Sequence, residues 1–215
     1  MELKKGLFVS FEGGEGAGKS TQIQILAQAL EQQGLRVFCT REPGGTKLGD
    51  RIRELLIDKS LEAMSPKCEA LLYAAARAEH VNKTIAPALQ KSQLVLCDRF
   101  LDASRAYQGV ARGLGRQAVD DVNLWATDGV LPDRVYVFKL PPEEGLRRVS
   151  KRQGGELDRL ESESIDFHEK ILKAYLGQAR RQPERYKVID ASQSLEKLSQ
   201  DLLEDMKEWI KTYLV

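Results

Sequence analysis

Nine consecutive residues near the start of the chain constrain its fold more than any others. Residues 13–21 read Gly-Gly-Glu-Gly-Ala-Gly-Lys-Ser-Thr and fit the pattern G-x-x-x-x-G-K-[S/T]. The apolar residues 7–11 before them favour a strand, and apolar residues at helical spacing after Ser20 favour a helix. A strand, a glycine-rich loop and a helix in this order form a P-loop, whose backbone N–H groups surround phosphate oxygens.

The P-loop residues are expected to bind a nucleoside triphosphate and its metal ion. Lys19 is expected to reach the β- and γ-phosphates, and the Ser20 hydroxyl to bind Mg²⁺. The glycines allow conformations that a Cβ atom would obstruct, and the N-terminus of the following helix adds partial positive charge. The predicted nucleotide-binding residues are Gly13, Gly14, Glu15, Gly16, Ala17, Gly18, Lys19, Ser20 and Thr21.

Predicted strands and helices alternate along the whole chain. Strands are predicted at residues 7–11, 35–40, 94–98, 134–140 and 186–190, and helices at residues 20–33, 47–57, 65–89, 117–127, 141–153, 162–181 and 194–213. The sequence therefore predicts an α/β fold: a P-loop three-layer fold with a five-stranded parallel sheet flanked by helices and a short lid, in one domain over residues 1–215. Ligands of such a sheet bind at the carboxyl ends of its strands, where the P-loop, the loop at Arg41 and the pair Asp98-Arg99 are expected to converge.

Composition and charge exclude several classes of function. The hydrophobic fraction of 42% and the charged fraction of 30% are ordinary for a soluble protein, and the net charge of +1 does not support nucleic-acid or membrane binding. No apolar run approaches membrane-spanning length and the N-terminus lacks a signal-peptide core, so we expect a cytoplasmic protein. Cys39, Cys68 and Cys97 include no CxxC pair and are expected to be small buried hydrophobic residues.

The sequence favours a small phosphotransferase over a GTPase switch. Residues 82–85 read Asn-Lys-Thr-Ile, with an apolar residue where a guanine-binding motif needs aspartate, and no D-x-x-G occurs in the chain. A phosphotransferase must bring two anionic phosphates together and exclude water, so it needs arginines and a mobile cover. Residues 147–156 carry four basic residues beside two glycines, which predicts a lid at about residues 145–160.

Five segments in this order resemble thymidylate kinases of the bacterial type. They are the P-loop, Arg-Glu-Pro-Gly-Gly-Thr at 41–46, Leu-Tyr-Ala-Ala-Ala-Arg at 72–77, Asp-Arg-Phe at 98–100 with Ala-Tyr-Gln-Gly at 106–109, and Gly-Glu-Leu-Asp-Arg at 155–159. The resemblance implies transfer of a phosphoryl group from ATP to dTMP, which gives ADP and dTDP and uses Mg²⁺. It also implies a homodimer.

The resemblance further implies roles for individual residues. Glu15 would accept a hydrogen bond from the sugar 3′-hydroxyl of dTMP, Tyr73 would stack on thymine, and Arg77 would donate to a base carbonyl. Arg99 would bind the dTMP phosphate, and Asp98 would lie beside the Mg²⁺ site. Further acceptor-pocket positions implied in the same way are Arg41, Pro43, Ser104, Tyr107 and Gln108.

The lid resembles the bacterial arrangement, in which a lid arginine stabilises the transferring charge. Ala17 stands where some members of the family have a P-loop arginine. Arg152 aligns best with the lid arginine, but an added residue at Gln153 shifts the register, so Arg148 and Lys151 are alternatives. The predicted catalytic residues are Lys19, Arg99, Arg152 and Arg148.

Other prominent side chains are expected to be structural. His80 and His168 fall in predicted helices and are interpreted as surface or packing residues, while Trp125 and Trp209 are interpreted as core or interface residues. Two alternatives to a thymidylate kinase stay open at this point. One is another P-loop kinase of a small metabolite or nucleotide, and the other is an ATP-binding regulatory module without catalysis.

Overall fold

The computed structural model describes residues 2–61, 64–152 and 154–215. The strands are β1 (Leu7–Gly13), β2 (Val37–Arg41), β3 (Leu94–Asp98), β4 (Arg134–Lys139) and β5 (Tyr186–Asp190). The helices are α1 (Lys19–Glu31), α2 (Lys47–Ile57), α3 (Pro66–His80), α4 (Ala86–Gln90), α5 (Leu101–Ser104), α6 (Arg116–Thr127), α7 (Pro142–Arg152), α8 (Ile165–Arg181) and α9 (Leu195–Ile210). Two π-helical segments, Val81–Ile85 and Arg105–Ala111, and a 3₁₀ turn, Lys211–Tyr213, complete the described elements.

The described strands form one parallel sheet in the order β2-β3-β1-β4-β5. The central strand β1 is buried along its whole length and pairs with β3 on one side and β4 on the other. Because all the strands are parallel, their carboxyl ends lie at one edge of the sheet, where open α/β sheets bind ligands. The predicted fold class, with its five-stranded parallel sheet, is confirmed.

Helices cover both faces of the sheet. On one face, Ile23 of α1 and Met206 of α9 belong to the same buried cluster as Phe11 of β1. On the other face, Ile171 of α8 packs in a cluster with Val137 of β4. Each of these side chains is at most 2% exposed, and burying a side chain of this size contributes about 1.5–3 kcal/mol to the free energy of unfolding. The sheet edge that carries the ligand loops is therefore held on a rigid three-layer scaffold.

Side-chain caps set where several helices begin. The hydroxyl oxygens of Ser65, Ser164 and Ser194 each accept the backbone N–H three residues further on, and Thr46 does the same at the start of α2. The predicted start of α3, with Ser65 as cap and Pro66 in the first turn, is confirmed. Helix α8 begins after Ser164 rather than at residue 162 because that serine caps it.

The helix predicted at residues 65–89 is one helical run with a wider turn inside it. Residues Val81–Ile85 are π-helical, and the N–H of Ala86 donates to the carbonyl of Val81. Pro87 follows directly in α4, and a proline ring would clash with the preceding turn of a regular α-helix. The wider π-helical turn directly before Pro87 accommodates the ring within one helical run.

The cysteine prediction was partly wrong. Cys97 is buried in β3, but Cys39 is half-buried and Cys68 is exposed. Cys68 lies at the start of α3, where its backbone N–H donates to Ser65, and the first turn of that helix faces outward. The apolar character of a thiol therefore did not determine its position here.

Both tryptophans and both histidines are placed in the described chain. Trp209 packs on Tyr213 and against the core, whereas Trp125 is 85% exposed and is not a core residue. His80 and His168 are both buried, so they are packing residues rather than surface residues. Gln153, which the lid prediction included, lies outside the described residues. Among the helices that are described, none is long and apolar enough to cross a membrane.

Candidate active site

The carboxyl ends of β1, β2 and β3 open into two adjoining cavities. The outer crevice lies over the P-loop and is lined by Glu15, Gly16, Ala17, Gly18, Lys19, Ser20, Thr21, Arg41, Glu42, Arg53, Ile57, Asp98, Arg99, Arg152, Asp158 and Glu161. The inner cavity is lined by Glu15, Glu42, Pro43, Arg53, Ile57, Tyr73, Arg77, Arg99, Phe100, Ala103, Ser104, Tyr107, Gln108, Asp158 and Leu160. Because Glu15, Arg53 and Arg99 line both, two ligands could meet at their boundary.

The P-loop has the backbone that the sequence predicts. Gly13, Gly16 and Gly18 have φ angles of 137°, 65° and 85°, which favour glycine. The Lys19 Nζ donates to the carbonyl oxygens of Gly13 at 3.2 Å and Gly14 at 2.8 Å. Burial and the positive charge of Arg99 lower the pKa of Lys19 from 10.5 to about 8. The ammonium group is thus held in the loop at a position where added negative charge would stabilise it.

The helix that carries the basic segment packs directly on the P-loop. A Cβ atom on Gly16 would lie 2.1 Å from the carbonyl oxygen of Gly145 in α7. In return, a Cβ atom on Gly145 would lie 2.3 Å from the carbonyl oxygen of Glu15. This backbone contact requires glycine on both sides, so α7 starts from a fixed point on the loop. Nothing in the local sequence pattern predicted this role of Gly145.

Two oxygen ligands meet at the outer end of the crevice. The Ser20 hydroxyl, in the first turn of α1, donates to Oδ2 of Asp98 at the end of β3. Ser20 is exposed and Asp98 is half-buried, so both oxygens are open to the crevice. A hydroxyl and one carboxylate, completed by phosphate oxygens and water, form a donor set that suits Mg²⁺.

Glu15 is the only acidic residue within the P-loop motif, and it faces two donors of the inner cavity. Its Oε1 accepts hydrogen bonds from Arg99 Nη2 and from the Tyr107 hydroxyl, each at 2.7 Å. Burial alone would raise the pKa of Glu15, but Arg99, Lys19 and the Tyr107 hydroxyl lower it from 4.5 to about 2. Glu15 is therefore a carboxylate at neutral pH, with acceptor capacity directed at the cavity.

Arg99 has an uncommon backbone conformation. Its φ of 70° lies in the left-handed region, which costs about 1–3 kcal/mol for a residue with a side chain. This turn brings the guanidinium under the P-loop, where Nη1 donates to the carbonyl of Gly13 at 2.9 Å and reaches the Tyr175 hydroxyl at 3.5 Å. Strain of this kind is often found at functional sites.

A buried carboxylate lies behind Arg99. Glu12 is fully buried in β1, where it accepts the backbone N–H of Phe100 at 2.8 Å and the Tyr175 hydroxyl at 3.1 Å. Burial and the negative charge of Asp102 raise the pKa of Glu12 from 4.5 to about 8. Glu12 therefore carries a proton at neutral pH and supports Arg99 through the shared tyrosine.

Six predicted acceptor residues line the inner cavity beside Glu15 and Arg99: Pro43, Tyr73, Arg77, Ser104, Tyr107 and Gln108. Tyr73 is half-buried, and burial raises the pKa of its phenol, so the ring stays neutral. Gln108 donates to Glu69 at 2.8 Å, and Ser104 accepts from Arg77 at 3.0 Å. Arg77 is only 1% exposed and makes most of its contacts with the protein. These side chains therefore form a preorganised wall rather than a flexible one.

Arg41 and Pro43 are placed apart from each other. Arg41 ends β2, is exposed, lies 3.6 Å from Asp50 and lines the outer crevice. Pro43 is buried and lines the inner cavity. The loop at residues 41–46 therefore contributes to both cavities, which its predicted role at the acceptor pocket did not anticipate.

The three candidate lid residues differ in position. Arg152 is exposed and lines the outer crevice. Arg148 instead donates from Nε to Glu144 at 2.8 Å and from Nη1 to the carbonyl of Ala191 at 3.3 Å, and it does not line the crevice. Lys151 is exposed and also lies outside the crevice lining. Of the three, Arg152 alone reaches the P-loop side of the site.

Sequence reasoning missed several polar residues of the site. Arg53 of α2 lines both cavities, and its Nη1 donates to the carbonyl of Pro43 at 3.4 Å. Glu42 is buried beside Arg77, although it stands in the 41–46 motif. Glu69 accepts from Gln108 and lies 2.7 Å from Arg159 at the end of the predicted lid segment. The position of α2 directly after the 41–46 loop is the one signal that could have identified Arg53.

Comparison with known proteins places this geometry in a family. A model of the family described as thymidylate kinase matches residues 11–202. The chain is 43% identical over 206 residues to a thymidylate kinase of Bacillus pumilus, with 96% of this chain and 97% of the relative covered. It is 47% identical over 196 residues to one of Symbiobacterium thermophilum, with 91% and 90% covered.

The solved structures include a similar molecule. The thymidylate kinase of Ehrlichia chaffeensis superposes with a TM-score of 0.77 at 27% sequence identity. The match covers 94% of this chain and 99% of that one. The similarity therefore extends over nearly the whole chain.

Proposed function

The chain belongs to the thymidylate kinase family, and we propose that it uses the outer crevice for ATP and the inner cavity for dTMP. The enzyme transfers the γ-phosphoryl group of ATP to dTMP, and gives dTDP and ADP for dTTP synthesis. The observation that supports this assignment is that the two cavities adjoin. Glu15, Arg53 and Arg99 line both of them. Two anionic phosphates brought to this boundary would lie between fixed cations.

On the donor side, the P-loop binds the ATP phosphates. Lys19 interacts with the β- and γ-phosphates, and the backbone N–H groups of residues 13–21 surround them. The lowered pKa of Lys19 supports this role, because an anionic ligand would restore the charge that burial disfavours.

The donor set at the crevice fits a magnesium ion. Ser20 and Asp98 would hold the ion, since their oxygens meet at the phosphate end of the loop. When bound, Mg²⁺ neutralises phosphate charge and orients the transferring group. The protein would supply only these two oxygen ligands, so phosphate oxygens could complete the coordination of the ion.

On the acceptor side, arginines bind the phosphate of dTMP. Arg99 lies nearest the P-loop, and Arg53 faces the same boundary from α2. Arg41 approaches from the outer crevice, and Pro43 closes the wall of the inner cavity. Because guanidinium groups match phosphate geometry, they align the attacking oxygen with the γ-phosphorus of ATP.

The inner cavity binds the sugar and the base of dTMP. Glu15 accepts a hydrogen bond from the 3′-hydroxyl, a role supported by its ionised state beside Tyr107. Tyr73 stacks on the thymine ring. Arg77 donates to a base carbonyl, and the remaining wall contacts to base and sugar come from Ser104, Tyr107 and Gln108.

Charge that develops in the transition state is stabilised from the lid. Arg152 is our first candidate for this role because it lines the outer crevice, with Arg148 and Lys151 as alternatives. Phosphoryl transfer demands little covalent chemistry from the protein, so positioning and electrostatic stabilisation supply most of the rate. Lys19 and Arg99 complete the catalytic set.

We also propose a cytoplasmic homodimer. Leu71 of α3 and Leu124 and Trp125 of α6 are exposed by 58%, 43% and 85%. Leu71 lines an apolar groove between these two helices, and exposed apolar patches of this kind mark interaction surfaces. Sedimentation equilibrium should give a dimer mass, which Trp125→Glu should reduce to that of a monomer.

A coupled assay of ADP release tests the reaction. ATP and Mg²⁺ are supplied with dTMP, dUMP, dCMP, AMP, GMP or thymidine as acceptor. We expect strong turnover with dTMP and little with AMP, GMP or dCMP. Equal or greater turnover with another acceptor would refute the assignment of the inner cavity to dTMP. Binding of ATP without turnover of any acceptor would refute the proposal that the protein catalyses phosphoryl transfer.

A further inference from the structure

The hydrogen-bond donors of Arg77 are divided between protein and cavity. A guanidinium group has five N–H donors. Nε donates to Glu42 Oε2 at 2.7 Å, and Nη1 donates to Ser104 Oγ at 3.0 Å and to Asn123 Oδ1. Within the described chain, Nη2 has no hydrogen-bond partner, and Arg77 lines the inner cavity. Three donors are therefore fixed by the protein, and the two on Nη2 are left for a ligand.

Glu42 is held between Arg77 and a buried histidine. It is 4% exposed, and its second carboxylate oxygen, Oε1, lies 3.0 Å from Nδ1 of His80. Each carboxylate oxygen thus has its own partner on α3. The carboxylate cannot rotate without losing one of the two contacts, so the direction of the Arg77 Nε–H bond is fixed as well.

His80 extends this chain of contacts to the sheet. An ionised carboxylate only accepts hydrogen bonds, so Nδ1 of the ring must carry a proton and donate to Glu42. In the neutral ring Nε2 then accepts from the Thr40 hydroxyl, which lies 2.7 Å away at the end of β2. A Cβ atom on Gly45 would lie 2.5 Å from Nε2, so the backbone of the 41–46 loop packs closely on the ring.

Asn123 fixes the other end of the guanidinium. Its Nδ2 donates to the carbonyl of Val119 one turn earlier in α6 at 2.8 Å. That bond sets the orientation of the amide and leaves Oδ1 to accept from Arg77. The Phe100 ring, whose centroid lies 5.3 Å from the Arg77 guanidinium carbon, supports the face of the group. Contacts from the loop after β2, from α5 and from α6 thus converge on one side chain.

We propose that Glu42, His80 and Asn123 are positioning residues that aim Nη2 of Arg77 at the base and so set the preference for a base with a carbonyl oxygen at that position. This inference rests on the proposed function, because it takes the inner cavity as the thymine site. Thymine offers a carbonyl oxygen where cytosine carries an amino group. A fixed pair of N–H donors forms hydrogen bonds with the carbonyl oxygen of thymine, whereas it would face another donor in the amino group of cytosine.

The test compares acceptor preference in matched variants. Asn123→Leu keeps the branched shape of the side chain and His80→Phe keeps a planar ring, and each removes hydrogen bonds to the network. Tyr136→Phe serves as control, because it removes a buried hydroxyl bonded to Asp205 at 2.8 Å, far from both cavities. For each protein, kcat and KM are measured with dTMP and with dCMP, and the melting temperature is recorded.

We expect the dTMP KM to rise about tenfold in both network variants while kcat changes much less, since removing a base contact weakens ground-state and transition-state binding alike. The ratio of kcat/KM for dTMP to that for dCMP should fall by about the same factor. The control should keep the wild-type ratio even if its melting temperature falls. Unchanged ratios in both network variants would overturn the inference.

A measurement on the wild-type protein guards against variants that fail to fold. Nitrogen-15 NMR of the imidazole should find the proton of His80 on Nδ1. A proton on Nε2 alone would break the proposed contact with Glu42 and overturn the inference. Failure of the proposed function looks different, because the wild-type protein would then show no preferred turnover of dTMP.

Discussion

The guanidinium of Arg99 lies 2.7 Å from the carboxylate of Glu15. This ion pair connects the residue directly after β3 with a residue inside the P-loop. Both side chains are mostly buried, at 15% and 19% exposed. A buried pair of this kind must be fully hydrogen-bonded to be tolerated, and the Tyr107 hydroxyl supplies a further bond. Since Glu15 and Arg99 both line the outer crevice and the inner cavity, the walls of the two cavities are connected through one ion pair.

Glu15→Gln should remove the preference for a substrate with a 3′-hydroxyl. The amide keeps the shape of the side chain but loses the negative charge that accepts from Arg99 and Tyr107. We expect kcat/KM for dTMP to fall roughly 10- to 100-fold, the effect of losing a charged hydrogen bond. The ratio between dTMP and its 3′-deoxy analogue should approach one. Glu31→Gln, at an exposed carboxylate on α1, is the matched control.

If Glu15→Gln kept the full preference for dTMP over the 3′-deoxy analogue, the carboxylate would not read the sugar. Its contact with Arg99 would then have a purely structural role. A fall in melting temperature together with an unchanged ratio would indicate that outcome.

ATP binding should take up protons above pH 8. The pKa of Lys19 is lowered to about 8 by burial and by Arg99, so the side chain is largely neutral at pH 9. Phosphate charges next to Nζ would raise that pKa again, and the complex would then bind a proton that the free protein lacks. Isothermal titration calorimetry at pH 9, in buffers with different ionisation enthalpies, measures this uptake.

The same titration at pH 6.5 serves as the control for Lys19, because the lysine is already charged there and takes up no proton. Binding enthalpies at pH 9 that do not depend on the buffer would contradict the lowered pKa. Affinity for ATP should also fall as pH rises above 8.

Glu12→Gln should flatten the dependence of stability on pH. The raised pKa means that folded protein binds a proton between about pH 4.5 and 8 where unfolded protein does not, so the free energy of unfolding falls as pH rises through this range. Glutamine removes the titration and keeps an oxygen for the Phe100 N–H. Urea unfolding at pH 5, 6.5 and 8 should therefore show a smaller decline in the variant. Glu208→Gln, at an exposed site, should decline as the wild type does.

Arg53→Ala should weaken the binding of dTMP more than the binding of ATP. Arg53 lines both cavities but lies on the acceptor side, beside Pro43. Removing one phosphate-binding guanidinium should raise the dTMP KM roughly tenfold or more and change the ATP KM by less than about threefold. Arg51→Ala is a close control, because Arg51 is exposed on the same helix and pairs with Glu54. A larger rise in the ATP KM would place Arg53 on the donor side instead, and an equal rise in both KM values would show that it serves both substrates.

The sequence predicted the parts of the site that depend on contiguous residues. The P-loop glycines, the start of α3 at Ser65 and the loops after β2 and β3 follow from local pattern, because backbone conformation and short motifs are local properties. The resemblance to thymidylate kinases pointed to Tyr73 and Arg77, and both line the inner cavity. Local sequence motifs and the parallel-sheet topology together therefore predicted most of the residues that line the inner cavity.

Contacts between distant segments could not be predicted in this way. The bonds from Arg77 to Glu42 and Asn123 span 35 and 46 residues, and no spacing in the sequence relates them. The close backbone contact of Gly16 with Gly145 depends on how α7 crosses the loop. The exposure of Cys68 likewise depends on the direction in which the first turn of α3 faces. These features are set by tertiary packing, which propensity and periodicity do not encode.

Arg152→Ala should lower kcat on the order of 10³-fold while the affinity for dTMP changes little. The side chain lines the outer crevice above the P-loop, where it would neutralise charge on the transferring group only as that charge develops. Single-turnover kinetics separate this effect on the chemical step from product release. Arg148→Ala is the matched control, because that guanidinium is bound to Glu144 and Ala191 outside the crevice. An unchanged kcat in Arg152→Ala would transfer the role to Arg148 or Lys151, and the loss of kcat in Arg148→Ala or in Lys151→Ala would identify which of the two reaches the transferring group.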